Sequence, residues 1–166
     1  MSFMIDFAAS IYRKLIFSGI YFAPVALLIL RIGWGWESAE SGYRHFKNFD
    51  KTVAFFQSLD IPNPKMATAV SATAELVGGS LIIVGLGARA VSLPLIFNFA
   101  VAIATASKDN VKMIFKQDYS NIVDDTAYPF LIMAIIIFAF GPGLFSIDGI
   151  LKKTVFKKYA AGLPSA

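Results

Sequence analysis

The sequence predicts an all-α membrane protein: a bundle of four transmembrane helices with amphipathic helices at both ends. Three observations predict it. Hydrophobic residues make up 57% of the 166, and leaving out the six Tyr while adding the twelve Gly gives about 60%, against roughly 45–50% in soluble domains. Charged residues are 16%, where about 25% is usual. Four apolar runs approach the about 20 residues that a helix rising 1.5 Å per residue needs to cross a hydrocarbon core roughly 30 Å thick. This mixture does not suit a disordered chain, a nucleic-acid-binding module or an ordinary soluble enzyme.

Residues 1–19 read as an interfacial N-terminal segment, because Phe3, Phe7, Ile11 and Leu15 recur every fourth position, as on a helix lying along the membrane surface. Arg13-Lys14 before an apolar run imitates a secretory signal. No small-residue cleavage pattern follows, and the run continues through Arg31 to Trp34 and Trp36, so a retained span is expected. That first span is expected near Ile20–Ser41. The second is expected near Met66–Leu86, after Ile61-Pro62-Asn63-Pro64, where proline forbids continuous helix. The third is expected near Ala90–Ser107, with Pro94 in its first turn or at a mild kink. The fourth is expected near Tyr128–Phe140, stopped by Gly141-Pro142-Gly143. Asp124 and Asp125 before it suit the positive end of a helix dipole and read as capping residues rather than metal ligands. These spans make a membrane domain of residues 20–147. Residues 148–166 read as a basic amphipathic tail, with Lys152, Lys153, Lys157 and Lys158 set against Ile150, Leu151, Val155 and Phe156.

Fifteen basic and eleven acidic residues give a net charge of +4. In so apolar a chain this excess reflects topology and anionic lipid rather than nucleic acid. Four spans put both termini on one side, with Arg13, Lys14, Arg89 and the four tail lysines. The other side carries Arg44, Lys47, Lys51, Lys65, Lys108, Lys112 and Lys116, so the count ties. Asp109, Asp118, Asp124 and Asp125 interleave that second side. The terminal basic residues are denser, which favours cytoplasmic termini in a prokaryotic inner membrane. There is no cysteine, which removes disulfides, CxxC redox motifs, thiolate nucleophiles and Cys-ligated metal centres. His45 is the single histidine, so this chain alone builds no multi-histidine metal site or bis-histidine haem, and no metal site is expected.

Arg31 and Glu75 each sit about ten residues into an expected span. A lone charge near the bilayer centre costs about 2.5–3.5 kcal/mol and asks for a partner, water or a function. Ser71, Glu75, Gly78, Ile82 and Gly85 follow at spacings of four, three, four and three, a mostly small face on which membrane helices approach closely. Arg31 shares a face with Trp34, Gly35 and Ser38. An Arg31–Glu75 ion pair is therefore expected, either fixing helix packing or serving a ligand or proton. Asn98 shares a side with Ala102 and Thr105 and is expected to hydrogen-bond across helices. A second polar cluster, Glu37, Glu40, Arg44, His45 and Lys47, closes the first span. Glu40, Arg44 and Lys47 can pair along one helical edge. The cluster is either a solvated face or a polar mouth for a quinone head group, an anionic substrate or a partner loop, where His45 can exchange a proton near neutral pH.

In order and spacing, Leu30-Arg31-Ile32-Gly33, Ser41-Gly42-Tyr43-Arg44-His45-Phe46-Lys47 and Phe55-Phe56-Gln57-Ser58-Leu59-Asp60-Ile61-Pro62 resemble the DoxX family of small four-span membrane proteins. Ala74-Glu75-Leu76-Val77-Gly78-Gly79 with Gly85-Leu86-Gly87-Ala88-Arg89 looks like that family's second helix and short turn. Phe140-Gly141-Pro142-Gly143 through Ser146-Ile147-Asp148-Gly149 looks like its C-terminal signature. The family takes its name from similarity to a membrane subunit of an archaeal thiosulfate:quinone oxidoreductase, and some members sit in oxidative-stress or sulfur-related membrane complexes. The resemblance also extends to four-helix membrane thiol oxidoreductases. Those need cysteines, so thiol–disulfide exchange is excluded here.

The resemblance implies a non-autonomous membrane subunit of a quinone-linked oxidoreductase, with a quinone near Arg31, Trp34, Glu75 and Asn98 and no covalently bound cofactor. Electrons then come from a partner protein subunit, since the chain carries no flavin, haem or cluster motif. The alternative is a non-catalytic membrane anchor or assembly factor for a neighbouring enzyme, and a third reading is a small-solute carrier. The lipid bilayer is the first partner in each, and a homo-oligomer is compatible with all three.

Overall fold

A computed structural model describes residues 2–106 and 126–154. Among these residues all regular structure is helical: α1 (Ser2–Lys47), α2 (Phe49–Ser58), α3 (Pro64–Val84), α4 (Ala88–Ala106), α5 (Ala127–Phe140) and α6 (Ile147–Thr154). Helices α1, α3 and α4 are long and apolar enough to cross a membrane, and α5 is a shorter apolar helix of 14 residues. Their outward faces expose Val70, Val77, Val84, Leu93, Phe97, Ile135 and Phe138. Water-soluble domains rarely expose apolar surface on that scale. The protein is an all-α, multi-pass membrane bundle. The charges of Lys108, Asp109, Lys112, Lys116, Asp118, Asp124 and Asp125, and the tail residues Val155, Phe156, Lys157 and Lys158, lie outside the described residues.

Small residues set the architecture. A Cβ on Gly42 would meet Ala72 O at 2.6 Å, and one on Gly79 would meet Ala39 N and Gly35 O at 2.6 Å. The α1 and α3 backbones therefore touch, with Gly35 against Gly79 and Ile83, and Gly42 against Ala72 and Leu76. Close backbone approach through small residues is how membrane helices gain packing energy that lipid cannot supply. Gly78, on the adjoining face, lets Leu95 of α4 approach α3 to 3.1 Å of its ideal Cβ position. Helices α3, α4 and α5 enclose a core of Ile82, Ala88, Leu95, Phe99, Met133, Ala134 and Ile137.

The first expected span, Ile20–Ser41, lies inside α1, and the antiparallel register shows which part of it packs. α3 pairs with the C-terminal part of α1 only, so Arg31 falls level with Gly85, just beyond the end of α3. The helix before it runs on beyond the end of α3: Leu27 still packs against Gly143, and residues 2–23 extend roughly 33 Å farther at 1.5 Å per residue. Phe7, Ile11, Leu15, Ile20 and Phe22 are exposed along it. The boundary expected at residue 19 has no counterpart in the backbone, which is helical from Ser2 to Lys47. A lone Gly19 weakens a helix by only about 1 kcal/mol, and Pro24 is accommodated inside it.

The other spans lie within two residues of expectation. Pro64 starts α3 as a first-turn proline, and Gly141 ends α5 with its N–H on Ile137 O at 2.8 Å. Helix α2 was not expected. It packs on α3 through half-buried Phe49, Val53 and Phe56, a four-then-three spacing that marks a helical face.

Candidate functional site

Glu75 is the buried acid of the bundle, 4% exposed on a stripe whose five members, Ser71, Glu75, Gly78, Ile82 and Gly85, are all buried. Helical side chains lean toward the N-terminus, so the carboxylate reaches back along α3. Ser71 Oγ donates to Glu75 Oε1 at 3.3 Å, and Asn98 Nδ2 of α4 donates to the same oxygen at 2.9 Å. From α1, Ser38 Oγ donates to the Glu75 carbonyl at 3.3 Å. The second carboxylate oxygen, Oε2, lies 3.5 Å from His45 Nδ1 of α1. Neither of those two atoms has a hydrogen bond of good geometry, and the Thr68 hydroxyl, wholly buried one turn before Ser71, has no partner among the described residues. A buried polar atom without a partner costs about 1–3 kcal/mol. Two of the three are the facing atoms of the His45–Glu75 pair.

His45 is brought inward by a signal the sequence carries. Arg31, Gly35, Ser38, Gly42 and His45 follow at spacings of four, three, four and three, the same rhythm as the Glu75 stripe of α3. Reading that face only as far as Ser38 left His45 in the solvated cluster. Its side chain is 31% exposed, so the ring has one nitrogen on Glu75 and one edge toward the end of α1. The rest of the cluster behaves as an outer surface. Glu40 and Arg44 form an exposed pair at 3.4 Å, and Glu37 and Lys47 are exposed.

The expected Arg31–Glu75 ion pair is not formed. Arg31, 2% exposed, donates from Nη1 to Pro142 O and from Nη2 to Phe145 O, both at 2.5 Å. It clamps the segment after α5 against the α3–α4 turn. Gly85 adopts φ +68 there, and a Cβ on it would lie 2.6 Å from Arg31 Nη1. Asp148 completes the junction by accepting from Gly87 N at 2.8 Å and Ala88 N at 3.0 Å, at the start of α4. The depths of the two charges differ because α1 overshoots the bundle. Counted from the start of its apolar run, Arg31 looks central; counted against α3, it is terminal. Glu75 lies ten residues from Gly85, about 15 Å along the helix axis.

Trp34 takes a third position. Its ring meets Phe130 edge-on at 5.3 Å, and Phe130 stacks on Phe99 at 5.1 Å. These rings border a space of about 20 Å³ with Ser38, Gly79 and Met133, room for one water and no more. The four residues expected to share a pocket are thus divided. Glu75 and Asn98 join His45, Trp34 belongs to the aromatic core, and Arg31 holds the C-terminal junction. Among the described residues no group of three or more His, Asp or Glu is arranged to hold a metal ion.

The sequence profile of the DoxX family matches residues 26–108, half of the chain. The matched region holds Arg31, Trp34, His45, Glu75 and Asn98. No curated protein and no solved structure matches the chain.

Proposed function

The chain belongs to the DoxX family, and from that premise we propose that it is a membrane subunit of a quinone-linked oxidoreductase whose head-group site is the mouth formed by His45, Glu75 and Asn98. The observation that carries this reading is the His45–Glu75 pair. Oε2 of a buried carboxylate draws the imidazole proton to Nδ1, which leaves Nε2 as an acceptor at the half-exposed edge of the ring. Asn98 and Ser71 hold the other carboxylate oxygen and so fix the orientation of both groups. Trp34 instead packs in the aromatic core with Phe130 and Phe99.

A quinone takes up two electrons and two protons to become a quinol. His45 would handle one of the two protons, Nε2 accepting it from a bound hydroxyl or returning it, and the second would exchange with water at the exposed edge of the ring. The electrons enter from a partner subunit carrying a redox group. Glu37 supports such a partner. It is exposed on the outer face of α1, between Gly35 and Ala39, which both touch Gly79. A lone carboxylate facing lipid near mid-span costs about 2.5–3.5 kcal/mol, and a protein neighbour with a basic group removes that cost.

The same exposed face favours the second reading, a membrane anchor or assembly factor for a neighbouring enzyme. Nothing among the described residues favours a solute carrier. We further infer an inner-membrane location with cytoplasmic termini, because Arg89, Lys152 and Lys153 gather at the end of the bundle from which α1 projects. The test is purification in mild detergent, followed by extraction and mass analysis of bound quinones. Quinone should accompany the wild-type protein and be lost from His45→Phe. A wild-type protein without quinone leaves the anchor reading in place.

A further inference from the structure

Helix α6 is a short amphipathic helix pinned to the end of the bundle. Three contacts hold it. Arg31 grips the carbonyls of Pro142 and Phe145 just before it. Ser146 caps its first turn by accepting from Gly149 N at 3.0 Å. Asp148 N donates to Gly85 O at 3.0 Å while the Asp148 carboxylate binds Gly87 and Ala88. Lys152 lies one turn beyond Asp148 on the same side of α6, and Arg89 directly follows the Ala88 that Asp148 binds.

This end of the bundle gathers four cations, Arg31, Arg89, Lys152 and Lys153, against the single carboxylate of Asp148. Both oxygens of that carboxylate are committed to backbone N–H groups. Arg31 spends two donors on carbonyls inside the junction, and Arg89 makes one side-chain hydrogen bond, to Ala139 O at 3.3 Å. None of the four makes an ion pair with a carboxylate among the described residues. At the opposite end Lys47, Lys51 and Lys65 are interleaved with Asp50 and Asp60. Beside the basic group, the apolar side chains of Leu144, Phe145 and Ile150 are exposed to between 55 and 60%.

Cations on a rim with greasy neighbours beside them match one partner chemistry, a phospholipid with a net negative head group. We propose that Arg89, Lys152 and Lys153 form a binding site for the phosphate of an anionic phospholipid, whose acyl chains lie against Phe145 and Ile150. The site lies at the opposite end of the bundle from the His45–Glu75 mouth and does not depend on it. It also gives α6 a function: the Arg31 and Asp148 contacts hold the lysine-bearing helix at the end of the bundle that carries Arg89.

The test uses the full-length protein purified in neutral detergent. Phosphatidylglycerol and phosphatidylcholine of equal chain length are titrated in turn, with retained lipid counted by native mass spectrometry and stability followed by thermal unfolding. Phosphatidylglycerol should bind at least fivefold more tightly than phosphatidylcholine and raise the melting temperature saturably. Lys152→Gln/Lys153→Gln, which disturbs no buried contact, should remove most of that preference, and adding Arg89→Gln should remove the rest. Lys51→Gln/Lys65→Gln, which takes two charges from the opposite end, should leave it intact. Inorganic phosphate should give no comparable shift. Equal binding of the two lipids, equal loss in both lysine double variants, or a full shift with phosphate alone would each overturn the proposal.

Discussion

A carboxylate inside a membrane bundle is defined by what neutralises it, and for Glu75 the near groups are Asn98, Ser71 and His45. Arg31 is too far along α3 to contribute. Double-mutant cycles separate these partners. Arg31→Gln and Glu75→Gln should cost stability additively, within about 0.5 kcal/mol, since groups more than 7–10 Å apart rarely couple. His45→Phe and Glu75→Gln should instead couple by about 1 kcal/mol or more, measured by reversible unfolding in detergent. Coupling in the first cycle and none in the second would reverse the assignment. Asn98→Leu should destabilise by about 1–3 kcal/mol, because it leaves a buried carboxylate oxygen with Ser71 alone. The burial of Glu75 and the bond from Asn98 were legible in the stripe that holds each residue. The partner of Arg31 was not, because two backbone carbonyls from a loop leave no mark on spacing.

The pairing of α1 with α3 rests on glycines that no larger residue can replace. Gly42→Leu would drive a side chain into the backbone of α3 near Ala72 and Leu76. The expected cost is about 3 kcal/mol or more, at or above the top of the range for overpacked cores, since here the obstacle is main chain. Gly33→Leu is the control: it lies in the same helix with nothing within 4 Å of its Cβ position, and should cost nothing or stabilise by up to about 1 kcal/mol, as removing a helical glycine does. Thermal unfolding of both variants decides the matter, and similar costs would show that the seam is looser than drawn. The start and end of α3, the start of α4 and the end of α5 were legible because proline and glycine punctuate them. The crossing segment of α1 was less so, since the helix itself continues for 46 residues and only packing against α3 shows which part is enclosed. The face of α2 was legible and was missed for want of length: ten residues with three half-buried apolar positions look like a loop beside spans of twenty.

At the scale of the whole molecule, a bundle in which α5 crosses along with α1, α3 and α4 returns the chain to its starting side, and reporters fused to the two termini should then report the same compartment. Opposite compartments would mean that α5, about 21 Å long at 1.5 Å per residue, does not cross. Composition made the membrane class plain before any residue was weighed, and the family followed from motif order. Function was less legible, because the site joins residues from three helices at depths that depend on the α1–α3 register. The claim that unites the account is that the His45–Glu75 mouth receives a quinone head group. Titration of the purified protein with a soluble quinone analogue, followed by thermal unfolding, addresses it most directly. A ligand that prefers the folded state stabilises it by mass action, about 2.7 kcal/mol at a hundredfold excess over Kd. Wild-type protein should show a saturable rise in melting temperature, and both Glu75→Gln and His45→Phe should shift the midpoint at least tenfold, while Trp34→Phe, away from the mouth, should not. No saturable rise, or a rise untouched by either mouth variant, would contradict the account.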